Sequence, residues 1–302
     1  MIPVLGRHAA LRRTLEHLER QDVRDFEVVL VSDAADPDPQ GVQSEARDRR
    51  FTVRTLHAEV PGASAARNLG WRSCAAPLVL FLGSDILAGR ALVAEHLALH
   101  ARHRSPSVAV LGHVHWAGRR TTFMRWLDRG FQFDFGSIEG GEAGWGRLYA
   151  ANMSLKRELL ERVGGFDDEL PYLYEDLDLG YRLDEVGFRL LYNPRASAAH
   201  LHRPSLQEWR TRMETAAVAE RAFCARHPDV EPFFFNRFRE AVAHPRARGR
   251  GALLAPLVPP GLPVLGARVW ASVDMRYRQE LAPSFLAAWD RAERAGGAAG
   301  AQ

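Results

Sequence analysis

Six carboxylates crowd between residues 167 and 178 of this chain: Asp167, Asp168, Glu169, Glu175, Asp176 and Asp178. The last three open YEDLDLGYRLDEVG (174–187), whose apolar spacing predicts a helix with its acids in the first turn. The helix dipole favours acids there, which is sufficient reason for them. The same field keeps a carboxylate ionised, as a group that takes a proton from a hydroxyl must be. Another acid, Asp85, stands in VLFLGSDI (79–86), where an apolar strand runs into a polar turn beside Ser84. Such an acid either holds a cation or ligand beyond the strand end or caps the next element. His200 and His202 in ASAAHLH (196–202) fall on one face of a predicted strand, either to meet a metal at Asp85 or to serve the structure. His113 and His115 repeat the spacing and receive no role.

Two more polar turns follow strands. Asp33 ends FEVVLVSD (26–33), and PGASAARNLG (61–70) follows the strand FTVRTLH (51–57). In that segment Pro61 and Gly62 shape the backbone, and Arg67 and Asn68 offer donors. Arginine suits bidentate contact with phosphate. Each polar turn alone is explained by helix capping; their recurrence at strand ends is where ligands of parallel sheets bind.

Alternating apolar runs and helical patterns must position these groups, the mark of an α/β fold. Helices are expected over 8–21, 64–74, 91–103, 174–187 and 208–227, and strands over 26–33, 51–57, 107–116, 188–194 and 196–202. SLKRELLERVGG (154–165) reads as a helix with Ser154 as N-cap and a Gly-Gly stop. Only Met1 and Ile2 precede Pro3, so the first strand is short or incomplete. The glycine-rich FGSIEGGEAGWG (135–146) is expected to be a mobile loop.

With 46% hydrophobic and 25% charged residues, the composition is that of an ordinary soluble globular protein. A formal charge of +3, from 40 basic and 37 acidic residues, is no nucleic-acid footprint, and no nucleic-acid partner is expected. Cys74 and Cys224 fit no metal-ligand spacing and imply no disulfide framework. No leader pattern opens the chain, and four prolines interrupt the apolar run 253–270, so a cytoplasmic protein is expected. RFREAVAHPRARGRG (237–251) is either a solvated helix packed on the rest of the chain or a peripheral contact with an anionic membrane.

FEVVLVSDAAD, PGASAARNLG, VLFLGSDI and NMSLKRE…VGGFDDEL…YEDLDLGYRL together, in this order and spacing, resemble a family 2 glycosyltransferase over roughly residues 1–205. The resemblance implies the GT-A fold: an α/β, mixed but mostly parallel sheet flanked by helices, with a C-terminal helical extension. The domains expected are a catalytic one over 1–205 (donor half 1–116, acceptor half 117–205), then, where the character of the chain changes, a helical extension over 206–291 and a disordered tail over 292–302. The resemblance also implies transfer of a sugar from a nucleotide-sugar, a UDP-sugar by default, usually with inversion and with Mn²⁺ or Mg²⁺. By position, Asp176 becomes the general base with Glu175 its neighbour, and Asp85 with His202 (or His200) the metal ligands. Pro3, Asp33, Arg67, Asn68, Ser84, Asp85 and Asn152 become nucleotide-sugar contacts, and Trp145 an acceptor-loop residue or a core anchor.

The chain departs from the family pattern at Ser32, Gly83 and Ile86, where acids are usual, and at Leu5 and Gly6, where an aromatic and an asparagine are common. These changes fall on the donor half, so a binding protein without turnover is the alternative function. The acceptor expected is a glycan, lipid-linked or small molecule. A nucleotidyltransferase lacks support because no glycine-rich loop opens the chain, and a dehydrogenase because no G-x-G-x-x-G follows a strand.

Overall fold

The computed structural model describes residues 1–244 and 250–299. Its elements, in chain order, begin with β1 (Ile2–Val4), α1 (His8–Leu18), β2 (Glu27–Ser32), α2 (Pro39–Ala46), β3 (Thr52–His57), α3 (Ala63–Ser73), β4 (Leu78–Leu82) and β5 (Ile86–Ala88). There follow α4 (Leu92–Arg102), β6 (Val108–Trp116), α5 (Thr122–Leu127), β7 (Glu142–Ala143), β8 (Asn152–Lys156), α6 (Arg157–Val163) and α7 (Glu175–Glu185). The chain closes with β9 (Arg189–His200), α8 (Leu206–Arg226), α9 (Phe233–Ala243) and α10 (Leu265–Ala299). Two compact units emerge: one of residues 1–118, 133–169 and 175–203, the other of 119–132, 170–174 and 204–302.

The first unit holds both sheets. β1, β2 and β3 pair in parallel, with Ile2 opposite Leu30 and Glu27 opposite Thr52. The second sheet runs β4-β8-β6-β9-β5, with β7 on β9. Here only β6 and β9 are parallel, so the sheet system is mixed and its second half is not the mostly parallel one expected. Val28–Val31 of β2 are buried on both faces, as strands between helical layers are. Leu11, Leu15 and Leu18 form the buried stripe of α1.

Where two strands were expected near residue 194, one long β9 is found. Its register on β6 shifts between Gly112 and His113, so residues 194–196 bulge out of the ladder and Pro194 is tolerated. Gly112 is required at that bulge: a Cβ there would collide with the Asn152 side chain and the Ala196 carbonyl. Ser154 is not an N-cap. It lies in β8, fully buried, because His96 and His100 on α4 reach its hydroxyl at 2.7 and 3.0 Å. α6 starts after it, at Arg157, and stops at left-handed Gly164. The glycine-rich segment 135–146 is anchored rather than wholly loop, since Glu142 and Ala143 pair with Leu191 and Leu190.

The second unit is helical. α9 begins after Pro232, which offers no side-chain cap, and the buried Glu220 of α8 serves instead. Its carboxylate accepts the Phe234 and Phe235 amides at 2.7 and 2.9 Å and the Tyr174 hydroxyl at 2.6 Å. On α9, Arg237 and Arg239 lie over Phe233 and Phe235, so this part of the arginine-rich segment packs on aromatic rings. Residues 245–249 of that segment lie outside the described residues. α10 reaches Ala299, so 292–299, expected to be disordered, are helical; alanine-rich sequence favours this. Residues 300–302 lie outside the described residues.

Candidate active site

Two clusters of chemistry-bearing side chains form in the first unit. One is built by the antiparallel pairing of β5 and β9, which sets Ile86 opposite His200, while the Leu201 amide donates to the Asp85 carbonyl at 2.9 Å. Asp85 is thereby fixed beside the two histidines. Its Oδ1 lies 3.2 Å from His200 Nε2, and its Oδ2 accepts from Arg7 Nη1 at 3.3 Å. The same Arg7 nitrogen stands 3.4 Å from His202 Nδ1. Burial pushes the Asp85 carboxyl up, but His200, Arg7 and His202 outweigh it and leave the group below its ordinary range. Behind His200, the rings of Trp116 and Phe133 pack at centroid distances of 5.3 and 5.6 Å. Ser84 lies half-buried in the same turn, where its carbonyl accepts the Thr14 hydroxyl at 2.9 Å.

Gly83 and Ile86, where the family pattern has acids, are committed to packing. Ile86 is fully buried in β5, and a Cβ on Gly83 would press on it at 2.9 Å. An added acid at either position would have to displace core atoms.

The second cluster gathers on the first turn of α7. Asp176 Oδ2 accepts the Ala150 amide at 2.9 Å. Arg67, brought in by α3, lies 3.0 Å from Glu175 Oε1 and 3.7 Å from Asp176 Oδ1. Glu175 is buried and Asp176 partly open, with 22% of its side chain exposed. Glu175 therefore serves to hold Arg67, while Asp176 is the more open of the two acids, although its Oδ1 is buried. Trp145 is half-buried on this helix, edge-on to Tyr181 at 5.5 Å. Gly180 allows that approach, because a Cβ there would meet the Trp145 carbonyl at 2.6 Å.

Other residues expected to touch the donor make their visible hydrogen bonds within the protein itself. Asn68 is 3% exposed and clamps the Phe166 backbone: Nδ2 donates to its carbonyl at 2.7 Å and Oδ1 accepts its amide at 2.9 Å. Asn152 is fully buried between His96 and the carbonyls of His113 and Ala196. Both satisfy backbone groups of the core that need polar partners. Asp33 is also buried, and its two oxygens accept the Ala35 and Gly62 amides at 2.8 and 2.9 Å. It braces the turn that launches α3, and with it Arg67. Gly62 has φ 124°, a conformation that excludes ordinary side chains. Pro3 is half-buried in the middle of β1.

Arg7 is the member of this cluster that motif reading missed. The signal was its place after β1, at the carboxyl ends of the strands where Asp33 and Asp85 also stand.

A family model described as glycosyltransferase-like family 2 matches residues 1–217. A pre-mycofactocin glycosyltransferase of Mycobacterium tuberculosis is 29% identical over 238 residues, 76% of this chain and 48% of that protein. A validoxylamine A glucosyltransferase of Streptomyces hygroscopicus subsp. jinggangensis is 28% identical over 265 residues, covering 78% and 62%. The chain thus spans about half, and at most 62%, of the length of these two relatives. Among solved structures, the mannosyltransferase PcManGT of Pyrobaculum calidifontis, in complex with GDP-Man and Mn²⁺, superimposes with a TM-score of 0.63 at 19% identity, covering 96% of this chain and 86% of that one. TarS of S. aureus in complex with UDP-GlcNAc gives 0.53 at 14% identity, covering 97% and 90%. At such identities these likenesses speak to the fold, and the fold is GT-A. The motifs that end the strands thus stand in the architecture they were expected in, and the chain belongs to the glycosyltransferase-like family 2.

Proposed function

We propose that this chain transfers a sugar from a nucleoside-diphosphate sugar to an acceptor hydroxyl, with inversion, and that Asp176 is the general base. The observation that carries this is the α7 turn: Asp176 Oδ2 is pinned by the Ala150 amide while Oδ1 lies beside Arg67. In this mechanism the acceptor oxygen attacks the anomeric carbon from the face opposite the diphosphate. The new carbon–oxygen bond forms as the bond to the diphosphate breaks, and that electron pair leaves with the diphosphate. The acceptor proton passes to the Asp176 carboxylate. Arg67, balanced by Glu175, keeps the base charged until the proton arrives.

A divalent ion suits the first cluster. Asp85 Oδ2 and His202 Nδ1 converge on one point, the place of Arg7 Nη1. Among the described residues no group of three or more His, Cys, Asp or Glu could hold a metal. Two protein ligands completed by substrate phosphate and water are ordinary for Mg²⁺, and an imidazole is a ligand that Mn²⁺ accepts. Mn²⁺ or Mg²⁺ held by Asp85 and His202 would act as a Lewis acid on the departing diphosphate. Asp33 and the Pro3 strand end are proposed to flank the nucleotide base, and Ser84 to face the diphosphate. Trp145 is proposed to line the acceptor side.

The relatives' names and bound ligands support a sugar-nucleotide donor, UDP- or GDP-linked, and the test is a donor panel. Release of nucleoside diphosphate is measured from UDP-, GDP-, dTDP- and CDP-sugars, with Mn²⁺ or with chelator. One donor is expected to be consumed by wild type and poorly by Asp85→Ala. A nucleotide that stabilises the fold against heat while no donor is consumed would establish the alternative, a binding protein without turnover.

One surface favours an acceptor held at a membrane. In the second unit, Leu253, Leu257 and Val264 are 71, 82 and 67% exposed. Arg120, Arg125 and Arg129 line a cavity of about 390 Å³ with Leu257 and neighbouring prolines. Exposed leucines beside arginines suit an anionic lipid surface. No helix among the described residues is long and apolar enough to cross a membrane, so the contact would be peripheral. Cosedimentation with phosphatidylglycerol vesicles is expected, weakened by Leu253→Glu with Leu257→Glu; equal binding to phosphatidylcholine, or none, would refute it.

A further inference from the structure

Arg7 breaks two local rules at once. It is the N-cap of α1, where Ser, Thr, Asp or Asn is preferred and a cation opposes the helix dipole. Its backbone is left-handed, with φ 54° and ψ 37°, directly after Gly6 at φ 60°. For a residue with a Cβ that conformation is strained. The surroundings over-determine it all the same. The Gly6 amide donates to the buried Asp36 carboxylate at 2.8 Å, and the Arg7 carbonyl accepts the first α1 amides, from Ala10 at 2.8 Å and Leu11 at 3.2 Å.

The result of this strained turn is a guanidinium delivered to Asp85 and His202. Nη1 donates to both, at 3.3 and 3.4 Å, and so a protein-borne cation stands where a divalent ion would sit between the same two ligands. Nε and Nη2 have no hydrogen-bond partner among the described residues, and the side chain is 58% exposed against 17% for Asp85. A planar fork with donors still to spare, next to an acid-and-imidazole pair, is suited to phosphate oxygens.

We propose that Arg7 is the resident cation of the donor diphosphate site. Without a divalent ion it neutralises Asp85 and presents its remaining donors to the diphosphate. When a metal takes Asp85 and His202, Arg7 turns to the diphosphate alone. Diphosphate binding therefore depends on Arg7 most when metal is absent. The inference rests on the proposed donor reading, and deepens it by assigning the charge that compensates for the acids absent at Gly83 and Ile86.

Calorimetric titration with inorganic pyrophosphate tests it, in chelator and in Mn²⁺, for wild type, Arg7→Lys, Arg7→Ala and Arg7→Gly. Glycine relieves the left-handed strain while deleting the charge, so Arg7→Gly should unfold no earlier than wild type and still lose affinity. Wild type should bind pyrophosphate in chelator, with Arg7→Ala and Arg7→Gly at least about 10-fold weaker and Arg7→Lys between. With Mn²⁺ the difference should shrink. Equal binding by wild type and Arg7→Gly in chelator, or no wild-type binding without metal, would overturn the proposal. UDP and GDP with Mn²⁺ serve as the separating arm. If the chelator arm fails while either nucleotide binds wild type with Mn²⁺, Arg7 alone has been misassigned; if neither binds under any condition, the donor reading falls with it.

Discussion

Asp176→Asn is expected to lower turnover by about 10²–10⁴-fold while leaving nucleotide binding and thermal unfolding near wild type. The amide keeps an oxygen for the Ala150 N–H, so the α7 turn holds its geometry. What it loses is a charged acceptor for the proton. Asp178, in the same helical turn, provides the contrast. It is 1% exposed and paired with Arg182 at 2.7 Å, and Arg182 donates to the Val163 and Gly165 carbonyls at 2.7 and 2.8 Å. Asp178→Asn should therefore lower the unfolding temperature and leave the turnover of the folded fraction intact. Initial rates and melting curves on both variants separate chemistry from scaffold. Wild-type turnover in Asp176→Asn would refute its assignment as base.

The second large effect is on stability in acid. His96 and His100, one turn apart on α4, are buried against Ser154 and Asn152. The contacts fit one chain of donors: His100 Nε2–H to the Ser154 hydroxyl, that hydroxyl to His96 Nδ1, and His96 Nε2–H to Asn152 Oδ1. Both rings are neutral in this arrangement. Burial, first of all, pulls each down from 6.5 to about 4. Since the folded values lie below the unfolded ones, the unfolded chain takes up more protons between them. Stability is thus complete above pH 6.5 and falls as the pH drops to 4, by up to about 1.4 kcal/mol per unit for each ring. Each histidine accounts for about 3 kcal/mol across that window. Urea unfolding at steps from pH 7.5 to 4 should show this slope, and His96→Gln should remove about half of it. A flat profile between pH 6.5 and 4 would contradict the network.

Much of the fold could be read from apolar runs and from motifs that carry their own boundaries. β2 is a continuous buried run with an acid at its end, and α7 opens on acids and closes at Val186-Gly187. The helices after residue 228 were less legible. α9 has its N-terminal cap on α8, at Glu220, and α10 contains Pro283, so neither shows the usual local signals. In the site, Asp176, Glu175, Asp85 and the histidines were legible because the family pattern names them. Their neighbours were not. Ser154, Asn68 and Asn152 are small polar residues beside apolar segments, and sequence does not distinguish one that greets a ligand from one that satisfies buried backbone or a distant imidazole. The partners that decide the matter lie far along the chain: Phe166 for Asn68, His96 for Ser154. Arg7 escaped for the opposite reason. No local preference would place an arginine there, and only the β5–β9 pairing shows what it meets.

Product stereochemistry distinguishes the proposed single displacement at the anomeric carbon, assisted by Asp176, from a double one. With the donor identified by the panel, proton NMR can follow the anomer first released to acceptor or to water, before mutarotation. Inversion is expected, an α-linked donor giving a β product, with the rate in Asp176→Asn lowered by about 10²–10⁴-fold. A product that keeps the donor's configuration would contradict the single displacement.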